Sequence, residues 1–582
     1  MIAGAVGALP APEIKALLSA LVDGGGARSV QVHVREGVGI AAVGTAGGGG
    51  NLDPSCGMAW VGSTPPAQVM MPAVGGVGSD CSAIFLDGSG ELRLARGPFG
   101  GRPLYHATDP RTGAQLVCSR LAPLASVLEK WRPSTHWLAA YVSRQFLLDP
   151  SQTPYENISR IASASVVRIA PSGLRESHRT PFDPVPRRSG TTAALAAELR
   201  HHILQAVSRA TAGASDVAVL VSGGLDSSGL LAATLQIAKP RGQRVRVFNL
   251  DFGGPGDDRP HLAALCDLHG VSPVRIRPAE CVRSLRETLV IDGRPVRNPI
   301  LASIATVLRG QGVSLVLTGE GGDDVLGGDM RVFLDRAWRG HPLSALRDAA
   351  KLRAWGRSTP WSRIRQLVLV PSARRAMPER ARALIRGARG PRLGPQWAGP
   401  ELRRVLTVGA AGPWELPRRE RSSERSWLVH RSRSTEYMDC SDARAQVELV
   451  GGFLRVDPLL DHAVVDFVAS LCPDQLFHGH WLRGLYREAL RGWVPESLRV
   501  RTDKADVSCA FRDLAGGAEG LATLRDLSRC DRLADLRIVE PHAFQALFEQ
   551  LVRTPETPSL WTEVLPVLSA ETFLQGIPGS VT

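Results

Sequence analysis

The 582-residue chain is longer than a single hydrophobic core usually serves, so two or three cores are expected. Its 44% hydrophobic content is that of a globular protein, no apolar run reaches the roughly eighteen residues that span a bilayer, and the start MIAGAVGALPAPEIKALL has no basic residues ahead of its apolar part. This pattern excludes a membrane protein and leads us to expect a cytoplasmic one.

The net charge of +13 is unevenly spread: Arg331 to Cys440 holds 24 Arg or Lys against 9 Asp or Glu. The same segment carries six of the twelve tryptophans: Trp338, Trp355, Trp361, Trp397, Trp414 and Trp427. Such a segment suits an acidic or aromatic peptide, a partner protein or RNA, and equally a set of solvated Arg-rich helices; nucleic acid is not the expected partner.

Residues 1–185 read as mostly β. Ser29 to Val34 alternates, Ser82 to Leu86 and Glu91 to Ala95 flank a DGSG turn, and Ser165 to Ile169 precedes a PSG turn before Leu174. Pro181 to Thr192 (PFDPVPRRSGTT) is the best linker, which divides the chain into 1–185 and 186–582. From Ala193 onward helix and strand alternate. Strands are expected over Asp216 to Val221, Arg244 to Asp251, Val274 to Arg277 and Ser314 to Thr318; helices over Gly229 to Ala238, His261 to Leu268 and Pro299 to Arg309. That order predicts a doubly wound parallel sheet with ligands at the strand C-terminal ends, so the fold class is α/β: a β-rich N-terminal domain, then the parallel sheet with a helical C-terminal part. The nine scattered cysteines contain no CxxC pair, so neither a disulfide framework nor a zinc site is expected.

The stretch DVAVLVSGGLDSSGLLAA, Asp216 to Ala233, reads as strand, tight loop and helix. Gly223 and Gly224 let the backbone turn its N–H groups towards an anion, and the following helix N-terminus adds positive dipole. Ser222, Ser227 and Ser228 can donate hydroxyls to phosphate oxygens, and Asp226 can hold Mg²⁺. The loop has no Lys, and the GxxxxGK[ST] spacing of a Walker A sequence occurs nowhere in the chain. After the Ser314 strand stands TGEGGDDVLGG, Thr318 to Gly328, a second glycine-rich loop, this one acidic.

Ser222 to Ser228 resembles the SGGxDSS loop of the ATP-pyrophosphatase superfamily, and Thr318 to Gly328 is similar to the GEGxDE loop of asparagine synthetase-type enzymes. GPFGGRPLY (Gly97 to Tyr105) and Pro154 to Arg168 resemble parts of that family's glutaminase-like, Ntn-type domain. Asp457 to Asp461 (DPLLD), Trp481 to Leu490 (WLRGLYREAL), Val494 to Pro495 and Arg501 to Lys504 (RTDK) follow the order of its C-terminal helices. The resemblance implies ATP and Mg²⁺ as cofactors, with Asp226 and Asp323 on the metal. It implies nucleotide contacts from Ser222, Gly223, Gly224, Asp226, Ser227, Ser228, Leu250, Asp251 and Gly319. Glu320 would orient or deprotonate the attacking nucleophile, and Lys504 would neutralise charge between the α-phosphate and a substrate carboxylate. Asp324 stands where relatives often have Glu.

A working glutaminase of this type needs Cys directly after the initiator Met, and position 2 is Ile2. The resemblance therefore implies a degenerate N-terminal domain and an amine supplied by the substrate, as in β-lactam synthetases and lasso peptide cyclases. The basic segment and Glu320, where β-lactam synthetases tend to carry Tyr, favour the lasso cyclase. Its substrate would be a linear core peptide, and a leader peptidase and a leader-peptide-binding protein are candidate partners. A small-molecule amide synthetase and a non-catalytic peptide- or RNA-binding adaptor are the alternatives.

Overall fold

A computed structural model describes the chain apart from residues 8, 24–28, 36–37, 45–49, 54–57, 62–81, 87–89, 98, 100–101, 129–130, 144–148, 171, 180–185, 252–257, 278–284, 298, 329, 354–357, 379–393, 409–427, 429–434, 503–517 and 577–582. Within the first 179 residues two six-stranded antiparallel sheets lie face to face. In the opening strand, Ile2–Val6, the period of two is plain: Ile2 and Val6 point between the sheets to meet Ile84, Leu92 and Ile169, while Ala3 and Ala5 face the helix Ala11–Asp23 through Ile14 and Leu18. The hairpin expected around DGSG is present, with Ser82–Leu86 pairing antiparallel with Leu92–Arg96.

The second part is built on five parallel strands: β1 (Asp216–Val221), β2 (Arg244–Leu250), β3 (Pro273–Ile276), β4 (Leu315–Leu317) and β5 (Leu454–Val456), in the order β3-β2-β1-β4-β5. The chain grows outward from β1 through β2 to β3, then returns to place β4 and β5 on the other side of β1. The strand order thus reverses between β1 and β4, where loops leaving the two C-terminal ends separate and leave a crevice. The helix α1 (Leu225–Ala238) follows β1 directly, four residues earlier than the expected Gly229. Asp226, Ser227 and Ser228 therefore belong to its first turn, where short polar side chains are well tolerated and Gly224 serves as N-cap.

The C-terminal helices Pro541–Arg553 and Pro558–Gln575 do not stand apart. Phe544, Phe548, Trp561 and Leu568 share one core with Leu121, Leu124 and Trp137 of the N-terminal part, so residues on both sides of the expected linker are buried together. Phe544→Ala is expected to cost about 3–5 kcal/mol, seen as a lower melting temperature. Of the expected linker, residues 181–185 lie outside the described residues, and the helix Thr192–Ala210 begins at its end.

A second junction is polar. The long helix α2 (Thr435–Gly451) carries Asp439 and Asp442, and three buried arginines converge on them: Arg96 on Asp442 at 2.6 Å, Arg160 on both at 2.7 and 2.8 Å, and Arg294 on both at 3.3 and 3.2 Å. Burial alone would raise the Asp442 pKa, but Arg96, Arg160 and Arg294 outweigh it and hold the carboxyl at about 2. A depressed carboxyl contributes stability above its unfolded pKa of about 3.9 and loses it as the pH falls through the folded value. Acid unfolding of the wild type should therefore steepen between about pH 4 and pH 2, and Asp442→Asn should lose that limb in pH-dependent melting.

Candidate active site

The site forms where the loops after β1 and β4 meet. Gly223 has φ +82°, and a Cβ there would lie 2.9 Å from the Asp258 carbonyl oxygen, so only glycine fits. The Ser222 N–H donates to Ser227 Oγ at 3.1 Å, which folds the loop over the first turn of α1. Ser228 Oγ is buried and has no hydrogen-bond partner among the described residues. A glycine-cradled loop at a helix N-terminus with a spare hydroxyl fits a polyphosphate.

The second loop presses against the first. A Cβ on Gly319 would stand 2.6 Å from the Ser227 amide nitrogen, and one on Gly322 would overlap the Asp226 carboxylate. These two glycines therefore permit backbone-to-backbone approach of the loops, and the short helix α3 (Gly322–Val325) brings Asp323 beside Asp226. Both aspartates pair with one side chain, Arg483, whose Nη1 lies 2.5 and 2.7 Å from the Asp226 oxygens and whose Nη2 pairs with Asp323. Arg483 is only 3% exposed and adopts left-handed backbone angles (φ 59°, ψ 36°) at the head of the helix α4 (Gly484–Ala489). A non-glycine residue in this region costs on the order of 1 kcal/mol, offset here by two ion pairs. Two carboxylates that share one guanidinium are close enough to share one cation. Mg²⁺ held by them would take its remaining ligands from ATP and water.

Glu320 lies on the same loop. Its carboxylate meets Arg444 Nη2 of α2 at 2.5 Å, while 39% of its side chain stays open to solvent. Crowding by protein, partly offset by Arg444, keeps the Glu320 carboxyl above the usual carboxylate range, a direction suited to proton exchange. The Glu320 N–H donates to Thr318 Oγ1 at 3.4 Å, and Thr318 Oγ1 donates to Asp457 at 2.5 Å.

The remaining expected residues are placed less directly. Leu250 ends the neighbouring strand β2 and Asp251 follows it, and Asn249 Nδ2 donates to the Val221 carbonyl at 2.8 Å, tying this strand end to β1. The Asp251 N–H donates to the Ile276 carbonyl at 2.9 Å. Lys504 lies outside the described residues, but Arg501, three residues before it, pairs with Asp258 at 2.5 Å and donates to the Gly223 carbonyl at 3.3 Å. Sequence reasoning missed Arg483, Arg444, Arg501 and Asp457 as site residues. Arg483 could have been found as a basic residue of the WLRGLYREAL segment; nothing local marks Arg444.

A parallel sheet with a glycine-cradled loop at a helix N-terminus and paired aspartates at its switch point is an arrangement suited to a nucleotide without a Walker lysine. A family model for asparagine synthase matches residues 198–575, which span the sheet, both loops and the C-terminal helices, and the chain belongs to the asparagine synthase family. It is thus an ATP-dependent ligase of the asparagine synthetase-like superfamily. No curated protein sequence matches the chain. Among solved structures, a U34-tRNA thiolase NcsA from Methanococcus maripaludis with its 4Fe-4S cluster is similar at 12% identity, covering 45% of this chain and 88% of that one with a TM-score of 0.21.

Proposed function

We propose that this ligase is a peptide macrolactam synthetase of the lasso type. It would adenylate an Asp or Glu side chain of a linear core peptide and join it to the peptide's own N-terminal amine, releasing AMP and pyrophosphate. The observation that carries the reading is the state of the N-terminal sheets. Among their described residues the only cysteine is Cys118, which is fully buried, with burial pushing its thiol up to about 12. Such a thiol is not a nucleophile, which supports a degenerate glutaminase-like domain over residues 1–185 and an amine that arrives on the substrate.

The basic segment supports a peptide substrate. Its helices Pro342–Lys351 and Pro360–Ile364 leave Leu343 81% and Trp361 64% exposed amid arginines. Trp397 of the same segment is instead buried, donating to Glu563 at 2.7 Å, so only part of the tryptophan set is available to a ligand. Trp355, Trp414 and Trp427 lie outside the described residues.

When bound, Mg·ATP supplies the electrophilic phosphorus and the pyrophosphate leaving group. The chain would supply the rest: the loop amides and Ser222, Ser227 and Ser228 would hold phosphate oxygens, and Asp226 and Asp323 would hold the metal. Glu320 takes the proton of the attacking amine, and Lys504 offsets charge at the carboxylate.

The test is mass spectrometry of the purified protein with Mg·ATP and the linear core peptide encoded beside its gene, with Lys504→Ala as control. Loss of one water from the peptide with AMP and pyrophosphate formed, and at least ~100-fold less in the control, is the expected result. A peptide that stays linear while a small amino acid triggers pyrophosphate release would make the enzyme a small-molecule amide synthetase. No nucleotide turnover with either would leave the adaptor reading. Among the described residues no helix is long and apolar enough to cross a membrane.

A further inference from the structure

We propose that the N-terminal sheets serve the ligase reaction as a positioning scaffold, setting Glu320 through two side-chain chains that both pass through the region of α2. The proposal rests on the family-level ligase chemistry and not on the macrolactam reading.

The first chain reaches the Glu320 backbone. Arg102, from the N-terminal part, grips Glu448 of α2 with Nε and Nη2 at 3.1 and 2.8 Å and also donates to the Arg455 carbonyl of β5 at 2.9 Å. Arg455 Nη2 pairs with Asp457 at 2.6 Å, Asp457 accepts from Thr318 Oγ1, and Thr318 Oγ1 accepts from the Glu320 N–H. The second chain reaches the Glu320 side chain. Arg96 holds Asp442 and Arg160 holds Asp442 and Asp439, two and five residues before Arg444 on the same helix, and Arg444 pairs with the Glu320 carboxylate. Phe99 packs edge-on against Tyr437 at 5.7 Å, fixing the same helix from the same side.

Glu320 is thus held at its backbone and at its side chain, and both holds trace back to N-terminal arginines. The groups around it are Arg444 and Tyr437 from α2, Arg455 and Asp457 at the end of β5, and Asp324 from α3. Buried ion pairs add little net stability because desolvation offsets their attraction, but they impose one register, since any slip leaves a charge unpaired. Three arginines and two aspartates buried at one junction are therefore a device for geometry. Displacing a reacting group by about 1 Å costs on the order of 100-fold in rate, so a scaffold with no chemistry of its own can still govern turnover. Arg96, Arg102 and Arg160 are positioning residues; none of them touches a reacting atom.

The test uses the full-length protein with Arg102→Gln, and Arg102→Lys as the conservative variant. Amide hydrogen exchange, read without any substrate, should speed up at least ~10-fold at residues 318–322 in Arg102→Gln while residues 222–228 stay within about two-fold, and Arg102→Lys should recover most of the difference. In the peptide assay kcat should fall at least ~10-fold with KM for ATP within about three-fold. Unchanged exchange at 318–322, or an equal rise at 222–228, would overturn the proposal. Should Arg102→Gln not fold, Glu448→Gln breaks the same link from the helix side and is read the same way. A failed peptide assay in the wild type bears on the macrolactam reading alone, because the exchange measurement needs no peptide.

Discussion

Asp226→Ala is expected to lower pyrophosphate release by at least ~100-fold, the scale for losing one preorganised electrostatic contact in a closed site. The proposed site would contribute two carboxylates to a cation, and only one is held firmly: Asp226 is partly buried, whereas Asp323 is 58% exposed. Removing Asp226 would therefore remove the better-fixed half of the proposed metal site. It also leaves Arg483, which is buried, with a single exposed partner. Taking one partner from a buried pair costs about 3–5 kcal/mol when nothing replaces it; here Asp323 remains, so the loss in melting stability should fall below that range. Two measurements separate these effects: the melting temperature reports the stranded guanidinium, and Mg²⁺-dependent ATP binding by calorimetry reports the metal site. Wild-type Mg²⁺ dependence in Asp226→Ala would refute the shared-cation site. Asp323→Ala should show a smaller stability change, because its carboxylate is already largely solvated.

Gly322→Ala should also cost at least ~100-fold in rate, but by a steric route. The added methyl would overlap the Asp226 carboxylate, so either the carboxylate leaves Arg483 or the loop after β4 retreats. Gly319→Ala meets backbone instead, 2.6 Å from the Ser227 nitrogen, which cannot swing away as a side chain can. Overpacking of this kind typically costs about 1–3 kcal/mol, small beside the expected effect on turnover. Gly310→Ala is the matched control: Gly310, like Gly319 and Gly322, lies outside the left-handed region, and nothing stands within 4 Å of its would-be Cβ, so it adds the methyl without a collision. Equal rate losses in Gly310→Ala and Gly322→Ala would mean that loop contact is not what limits the reaction.

Much of the fold was legible from local pattern. β1 runs over the expected Asp216–Val221, and the other three strands expected after the linker differ from observation by a residue at one or both ends, because β-branched apolar runs closed by glycine and polar residues leave little choice. The helices differ more. Helix α1 starts four residues early, since Asp226, Ser227 and Ser228 look like loop residues by composition yet suit a first helical turn once Gly224 caps it.

Both glycine-rich loops could be read directly, because short segments carry their own backbone requirements: Gly223 and Gly321 adopt positive φ, and such positions announce themselves as glycine. The sequence by itself determined the two glycine-rich loops and four of the five parallel strands; the fifth, Leu454–Val456, is only three residues long and was not expected. Only the tertiary structure decided what those residues touch. Arg483 reaches Asp226 from 257 positions away, Arg96 reaches Asp442 across 346, and Arg102 reaches Glu448 across 346. Local periodicity encodes which face of an element is apolar, and it holds no information about which distant charge will be buried opposite. That pairing is set by the packing of whole layers, and in this chain it joins the N-terminal sheets to the loop that carries Glu320.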